Sequence, residues 1–244
     1  MPARILLALS LFVCACEPRN PEQVPPEPVP RQRVAVPPPA AEPEPAAPKA
    51  EPAPEPARVR GTVVIVPLRS FPDDLLDAVE TGLETELAVE VVRHETVELP
   101  EEAYYPPRKR YRAEKLLDFL EPFADEAGGD VKVLGVTEVD ISTTSDPHPD
   151  WGIFGLGRSP GRTAVISSKR LSRKPKNREH VRFRVSTVAI HEIGHTFGLP
   201  HCDEHAVECV MLDAEGGIEN TDTSSGTFGP GCRTKLDVLT MWGR

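Results

Sequence analysis

His191-Glu192-Ile193-Gly194-His195-Thr196-Phe197-Gly198-Leu199-Pro200-His201 decides how this chain is read. It is H-E-x-x-H-x-x-G-x-x-H, and three His, one Glu and one Gly in that order are poorly explained by chance. His191 and His195 are four residues apart, so on a helix both imidazoles lie on one face, one turn apart. Val181, Val185, Val188, Ala189, Ile193 and Phe197 recur at helical spacing around them. Gly198 ends the predicted helix, because glycine tolerates the left-handed backbone of a helix terminus. Pro200 cannot continue it. The turn returns His201 toward the first two imidazoles as a third ligand. Three neutral imidazoles leave a zinc ion's charge uncompensated and its fourth position open to water, whose pKa then falls to roughly 7. Glu192, beside the first ligand, is the candidate general base. The competing reading is a buried helix whose histidines only pack or hydrogen-bond.

The residues that follow narrow the pattern. His201 is joined to Cys202, and Cys209-Val210-Met211 comes next. Seventeen residues, Leu212 to Phe228, then precede Gly229-Pro230-Gly231-Cys232. Upstream stand Val63-Val64-Ile65-Val66-Pro67, Arg110-Tyr111-Arg112-Ala113, Val133-Leu134-Gly135-Val136-Thr137 and Ala164 to Leu171. Over about residues 59–244 this text resembles the archaemetzincins, metzincin-type zinc peptidases with H-E-x-x-H-x-x-G-x-x-H-C-x4-C-x-M-x17-C-x-x-C. The resemblance implies a twisted, mainly parallel sheet with an antiparallel edge strand, flanking helices and a small C-terminal zinc-binding subdomain. It implies a peptide or protein substrate, and it places Met211 as an apolar floor under the three His ligands. An ordinary core Met is compatible with that role. Some metzincins carry a Tyr shortly after this Met; here Leu212 and Asp213 follow.

The chain departs from the family pattern twice. Six residues, Asp203 to Glu208, separate Cys202 from Cys209 instead of four, and Gly229 stands where the family has its third Cys. In the family four cysteines hold a second, structural zinc. Here Cys202, Cys209 and Cys232 leave that site one ligand short. Cys3His is an accepted zinc set, and the lengthened loop contains His205, the expected replacement. A metal-free cluster and a disulfide between two of the cysteines are the alternatives.

The N-terminus has another character. Arg4 precedes an apolar stretch, Ile5 to Val13, too short to span a bilayer as a mature helix. Val13-Cys14-Ala15-Cys16 follows as a bacterial lipobox. Residues 1–15 are thus expected to be a signal peptide, with Cys16 lipidated; secretion after cleavage behind Ala15 is the second choice. Residues 16–58 hold the lipobox cysteine and a Pro-, Glu- and Ala-rich segment without aromatics, which cannot bury enough surface to offset its ordering entropy. As extended polyproline it would reach roughly 130 Å at about 3.1 Å per residue. It is read as a spacer, or as an inert linker of no set length. Residues 59–244 form the metallopeptidase domain. The expected place is a bacterial membrane-anchored lipoprotein facing periplasm or exterior, otherwise a secreted protein. The membrane is reached only through the lipid, and the chain is taken as a monomer.

The net charge of −10 argues against nucleic acid. Between Arg158 and Arg184 there are nevertheless ten Lys or Arg and one Glu. They read as a solvated loop or as an attractor for acidic peptides or envelope polymers.

Strands are expected at Val59–Pro67, Val89–Val92 and Val131–Val139. Helices are expected at Asp73–Leu87, with Leu75, Leu76, Val79 and Leu83 as the apolar face, and at Ala113–Ala127, kinked at Pro122 and ended by Gly128-Gly129. Pro100–Arg110 reads as a loop. Trp151–Leu156 and Thr163–Ser168 read as edge strands; the resemblance implies that Trp151–Gly157 is the edge that pairs with an extended peptide, and the alternative there is a flexible loop. Strands alternating with helices predict an α/β arrangement. No Gly-rich phosphate loop offers a rival chemistry. The function expected is hydrolysis of peptide bonds by zinc-activated water. The alternatives are a non-catalytic zinc-containing envelope binding protein on the same scaffold and a structural envelope protein.

Overall fold

A computed structural model of the protein describes residues 61–203, 208–214 and 216–242. The expected signal peptide, Cys16, the linker and His205 lie outside the described residues. The elements run β1 (Thr62–Pro67), α1 (Asp73–Leu87), β2 (Glu90–Arg93), β3 (Tyr104–Tyr105), β4 (Arg110–Arg112), α2 (Ala113–Ala127), β5 (Val131–Thr137), β6 (Ile141–Ser145), β7 (His148–Ile153), β8 (Gly155–Gly157), β9 (Thr163–Ser167), α3 (Ser168–Leu171), α4 (Arg178–Thr196), α5 (Glu219–Thr223) and α6 (Pro230–Trp242).

The main sheet has the order β2-β1-β5-β9-β8. Its first four strands are parallel, and β8 pairs antiparallel with β9. β1, β5 and β9 are apolar on both faces, as parallel strands covered on two sides must be. Val63, Ile65, Leu134, Val136, Ala164 and Ile166 pack with α1 and α4. Val66, Val133 and Val165 pack with Leu116, Leu117 and Leu120 of α2 on the other face. The two clusters make a three-layer α/β domain, as expected.

Both early helices occupy the expected residues, and α2 runs through Pro122 as one element. The segment from Trp151 does not form one edge strand. Trp151 to Ile153 belong to β7, which pairs with β6 in a second, four-stranded sheet of order β3-β4-β6-β7. The chain bends at Phe154, and only Gly155 to Gly157 reach the edge of the main sheet. Thr163–Ser167 is an interior strand rather than an edge, because β8 covers it. The expected loop Pro100–Arg110 holds two 3-10 turns around β3 and leads into β4.

The basic stretch is only in part a solvated loop, at residues 172–177. It spans β9, α3 and the start of α4, and most of its charges are paired. Arg158 meets Asp118, Arg162 meets Asp125 at 2.6 Å, Arg178 meets Asp74 at 2.6 Å and Arg184 meets Asp222 at 2.6 Å. No helix among the described residues is long and apolar enough to cross a membrane.

Candidate metal centre and active-site cleft

Asn177 caps the start of α4, its side chain accepting the backbone N–H of His180 at 2.8 Å. At the other end two backbone bonds close the helix: Gly198 N–H to the His195 carbonyl at 2.8 Å, and Leu199 N–H to the Gly194 carbonyl at 3.2 Å. This is a Schellman cap, and it puts Gly198 at φ +91°. The same turn serves the site. The Leu199 carbonyl accepts from His195 Nδ1 at 2.7 Å, and the chain then delivers His201 two residues later. His191, one turn earlier, donates from Nδ1 to the Val210 carbonyl at 2.8 Å.

A carbonyl oxygen can only accept, so both rings carry their proton on Nδ1 and turn the Nε2 lone pair inward. His191 Nε2 and His195 Nε2 stand 3.1 Å apart. Two lone pairs at that distance repel each other unless a cation lies between them. Ligands about 2.0 Å from a tetrahedral zinc would be roughly 3.3 Å apart. Burial holds His191 far below the usual imidazole range, at about 3, helped by the neighbouring His195. Burial lowers His195 too. Both rings are therefore neutral, as ligands must be. His201 is half-exposed and sits with Nδ1 3.3 Å from Asp213 Oδ2. One nitrogen from each of the three rings falls within 4.8 Å of the others. The donor set, tautomers and spacing fit zinc.

Glu192 is buried at the base of the same cleft, and burial pushes its carboxyl up to about 8 against a backbone hydrogen bond from Gly157. β8 lies directly over it. A Cβ on Gly155 would come within 2.6 Å of Glu192 Oε1, and one on Gly157 within 2.4 Å of the Glu192 carbonyl oxygen. Both glycines are needed for the strand to approach the helix this closely. The cleft, about 330 Å³, runs between β7–β8 above and α4, Val210 and Leu212 below.

Met211 is fully buried and lies against α4 where Gly194 leaves room: a Cβ there would be 2.7 Å from the Met211 sulfur. This places it beside the residue that precedes His195. Its backbone carbonyl accepts from Cys202 N–H at 2.8 Å, which ties the residue after His201 to the floor.

Cys202, Cys209 and Cys232 are buried thiols, with no disulfide among the described residues. Their sulfurs lie within 4.8 Å of one another. Cys209 Sγ accepts backbone N–H groups from Met211 at 3.4 Å and Gly229 at 3.1 Å. Gly229, in the place of the family's third Cys, therefore reaches the cluster with its backbone and brings no thiol. Burial and the neighbouring sulfurs push the Cys232 thiol far up, so it ionises there only beside a cation. Three convergent sulfurs with N–H donors suit a metal; His205, the expected fourth ligand, lies outside the described residues.

Sequence reasoning missed the groups that hold the histidines. The Val210 and Leu199 carbonyls carry no residue signature. Asp213 carries no sequence signal beyond standing shortly after Met211, where some metzincins have a Tyr. Helix α6 was also missed, although Pro230 at its first position is a readable start signal.

The model of peptidase family M54 matches residues 65–238. The archaemetzincin of Methanopyrus kandleri is 35% identical over 165 residues, 68% of this chain and 86% of the relative. That of Haloquadratum walsbyi is 32% identical over 156 residues, 61% of this chain and 84% of the relative. Among solved structures, the Methanopyrus kandleri archaemetzincin superposes with a TM-score of 0.62 at 31% identity, covering 77% of this chain and 98% of its own. A zinc-dependent peptidase from Methanocorpusculum labreanum gives 0.61 at 26% identity, covering 71% and 99%. With its three-layer fold, its histidine cluster and these relatives, the chain belongs to peptidase family M54, the archaemetzincins, and is a zinc-dependent metallopeptidase.

Proposed function

We propose that this peptidase cleaves peptide bonds at the cleft under β8, with His191, His195 and His201 holding the catalytic zinc and Glu192 as the general base. The observation that carries the reading is the arrangement around α4: the facing Nε2 atoms of His191 and His195, each ring anchored through Nδ1, His201 beside them with Nδ1 near Asp213, and a buried carboxyl next in sequence to the first ring. Zinc bound there supplies Lewis acidity toward a peptide carbonyl and lowers the pKa of water to roughly 7. Glu192 takes a proton from the attacking water and passes it to the leaving amine nitrogen, the carboxylate being restored at the end of each turnover. Burial under β8 keeps bulk water from competing for that carboxyl. The substrate backbone adds to the outer edge of β8, where β9 is the strand's only partner among the described strands, and lies extended across the histidines. Met211 supports the rings from below.

The second metal in this reading is a structural zinc on Cys202, Cys209 and Cys232, with His205 as fourth ligand. The reading also takes the domain as a monomer carried at the outer face of a bacterial membrane by lipidated Cys16 and the Pro-rich spacer. Arg4, the apolar run to Val13 and the Cys14-Ala15-Cys16 step support it. Fatty-acid labelling that persists in Cys16→Ser would remove the anchor.

The catalytic reading is tested with zinc-loaded wild type and Glu192→Gln on an internally quenched peptide library. Turnover is expected to fall by about 10²- to 10⁴-fold at unchanged zinc content. Equal turnover removes Glu192 from the reaction. No turnover by either protein favours a binding role on the same scaffold.

A further inference from the structure

Of the ten Lys and Arg between residues 158 and 184, Arg170 is the one that lines the cleft, and it is the only Lys or Arg among the described residues lining it. Its guanidinium is held from behind. Nε donates to Asp140 Oδ1 at 2.6 Å and Nη2 to Asp140 Oδ2 at 3.1 Å. Asp140 also accepts from Arg110 Nε at 2.8 Å, and Arg110 in turn meets Asp150 at 2.8 Å. One carboxylate divided between two guanidinium groups leaves Arg170 with part of its positive field. Among the described residues Nη1 has no hydrogen-bond partner.

The strand above has made room for this group. A Cβ on Gly152 of β7 would fall 1.9 Å from Nη2 and 2.8 Å from Nη1. Any side chain at 152 would therefore displace the guanidinium. The acidic side chains of the cleft, Glu192 and Asp213, stand at its histidine end. The cleft is thus polarised, with a fixed cation at one end.

One chain-length bound and one contact to α4 indicate the spacing. Gly152 lies three residues before Gly155, which touches Glu192, and three residues of extended chain span no more than about 11 Å. On the other side, Arg184 of α4 donates to the Leu171 carbonyl at 2.9 Å. Arg184 precedes His191 by seven residues, or roughly 10 Å of helix at about 1.5 Å per residue. An extended peptide covers that distance in about three residues.

We propose that Arg170 is a specificity residue that binds a substrate carboxylate two or three residues from the scissile bond. The carboxylate is that of an Asp or Glu side chain or of a peptide C-terminus. Arginine presents paired N–H donors in the geometry a carboxylate accepts, and the Asp140 clamp orients them before substrate arrives. The proposal rests on the cleft being the peptide site.

The test separates it from catalysis by reading binding. Zinc-loaded Glu192→Gln protein, alone and with Arg170→Gln or Arg170→Lys added, is titrated calorimetrically with paired extended peptides. One set carries a single Asp or Asn at each of the three positions on either side of the central bond. The other carries a free or amidated C-terminus. With Arg170 in place, one position or the free terminus is expected to bind about 10- to 100-fold tighter than its uncharged partner. The set that responds names the source. Arg170→Gln should bring that ratio to about one, and Arg170→Lys to an intermediate value. A purely structural Arg170 would weaken charged and uncharged peptides alike, and that result overturns the proposal. So does an acid ratio near one at every position. If Arg170→Gln does not fold, the lysine variant decides: a ratio equal to that of the arginine protein overturns the proposal and a smaller one supports it. Turnover by the wild type is measured separately, so failure of the catalytic reading shows as lost cleavage and failure of this one as lost discrimination.

Discussion

The histidine and cysteine clusters share one peptide bond, His201–Cys202, yet they are built differently. Each histidine has its outer nitrogen committed: His191 to Val210, His195 to Leu199, His201 to Asp213. The rings are aimed before any ion arrives, because helix, cap and floor fix them. The cysteines depend on one another. Cys209 takes two backbone N–H groups, but three buried sulfurs supply three donors where a structural zinc takes four. A preorganised site tolerates loss of its ion with its geometry kept, whereas a site made of mutually repelling thiolates owes its shape to the ion. The first cluster is therefore expected to be a removable reagent site and the second a folding element.

The largest effects should come from breaking the two clusters one at a time. His195→Ala is expected to abolish peptide cleavage and remove one zinc equivalent, while thermal unfolding changes little. Cys232→Ser should do the reverse in stability, costing about 2–4 kcal/mol through a lost buried side chain and its metal. Activity should then fall indirectly, because Cys202 is tied to the Met211 carbonyl and Cys209 to the Met211 N–H. Metal analysis beside calorimetry checks both variants. If they lose the same zinc, the two-cluster comparison fails.

Much of this was legible in sequence because it is local. Asp73–Leu87 and Ala113–Ala127 were readable since their apolar faces and end signals lie within the segments. The histidine helix was readable for the same reason. What was not readable depends on partners distant in sequence. Trp151–Leu156 has the look of one strand, but Thr143 across the hairpin claims Trp151 while Val165 claims Leu156. The basic run looked solvated because its acids lie elsewhere: Asp74 is 104 residues from Arg178, and Asp222 is 38 residues from Arg184. Asp213 could not be tied to His201 without the fold of the intervening loop.

Gly229→Cys sharpens the comparison from the weaker side. The Gly229 backbone already reaches Cys209, so a thiol there restores the family's fourth ligand. The variant is expected to hold zinc at the cysteine cluster longer against a chelator, with a higher unfolding temperature and unchanged cleavage. If His205 already completes the site, the gain should be small in wild type and large in His205→Ala. A large gain in both backgrounds would remove His205 from the ligand set.

The smallest effect should come from Asp213→Asn. An asparagine keeps the size of the side chain and an oxygen for His201 Nδ1 but loses the charge that makes the imidazole a better donor to a cation. Outer partners of metal-bound histidines typically contribute 10- to 100-fold in affinity. Asp213 and His201 are both about half-exposed, so solvent screens the pair and the lower end applies. Zinc retention by the histidine cluster is therefore expected to weaken by about tenfold, with cleavage restored by excess zinc. His191 and His195, anchored on buried carbonyls, should keep their orientation, so the loss should appear as faster zinc release rather than as a lower rate at saturation. A rate at saturating zinc that falls as far as retention does would mean that Asp213 meets the substrate, and that the third histidine is positioned by the Schellman turn and the Cys202–Met211 bond alone.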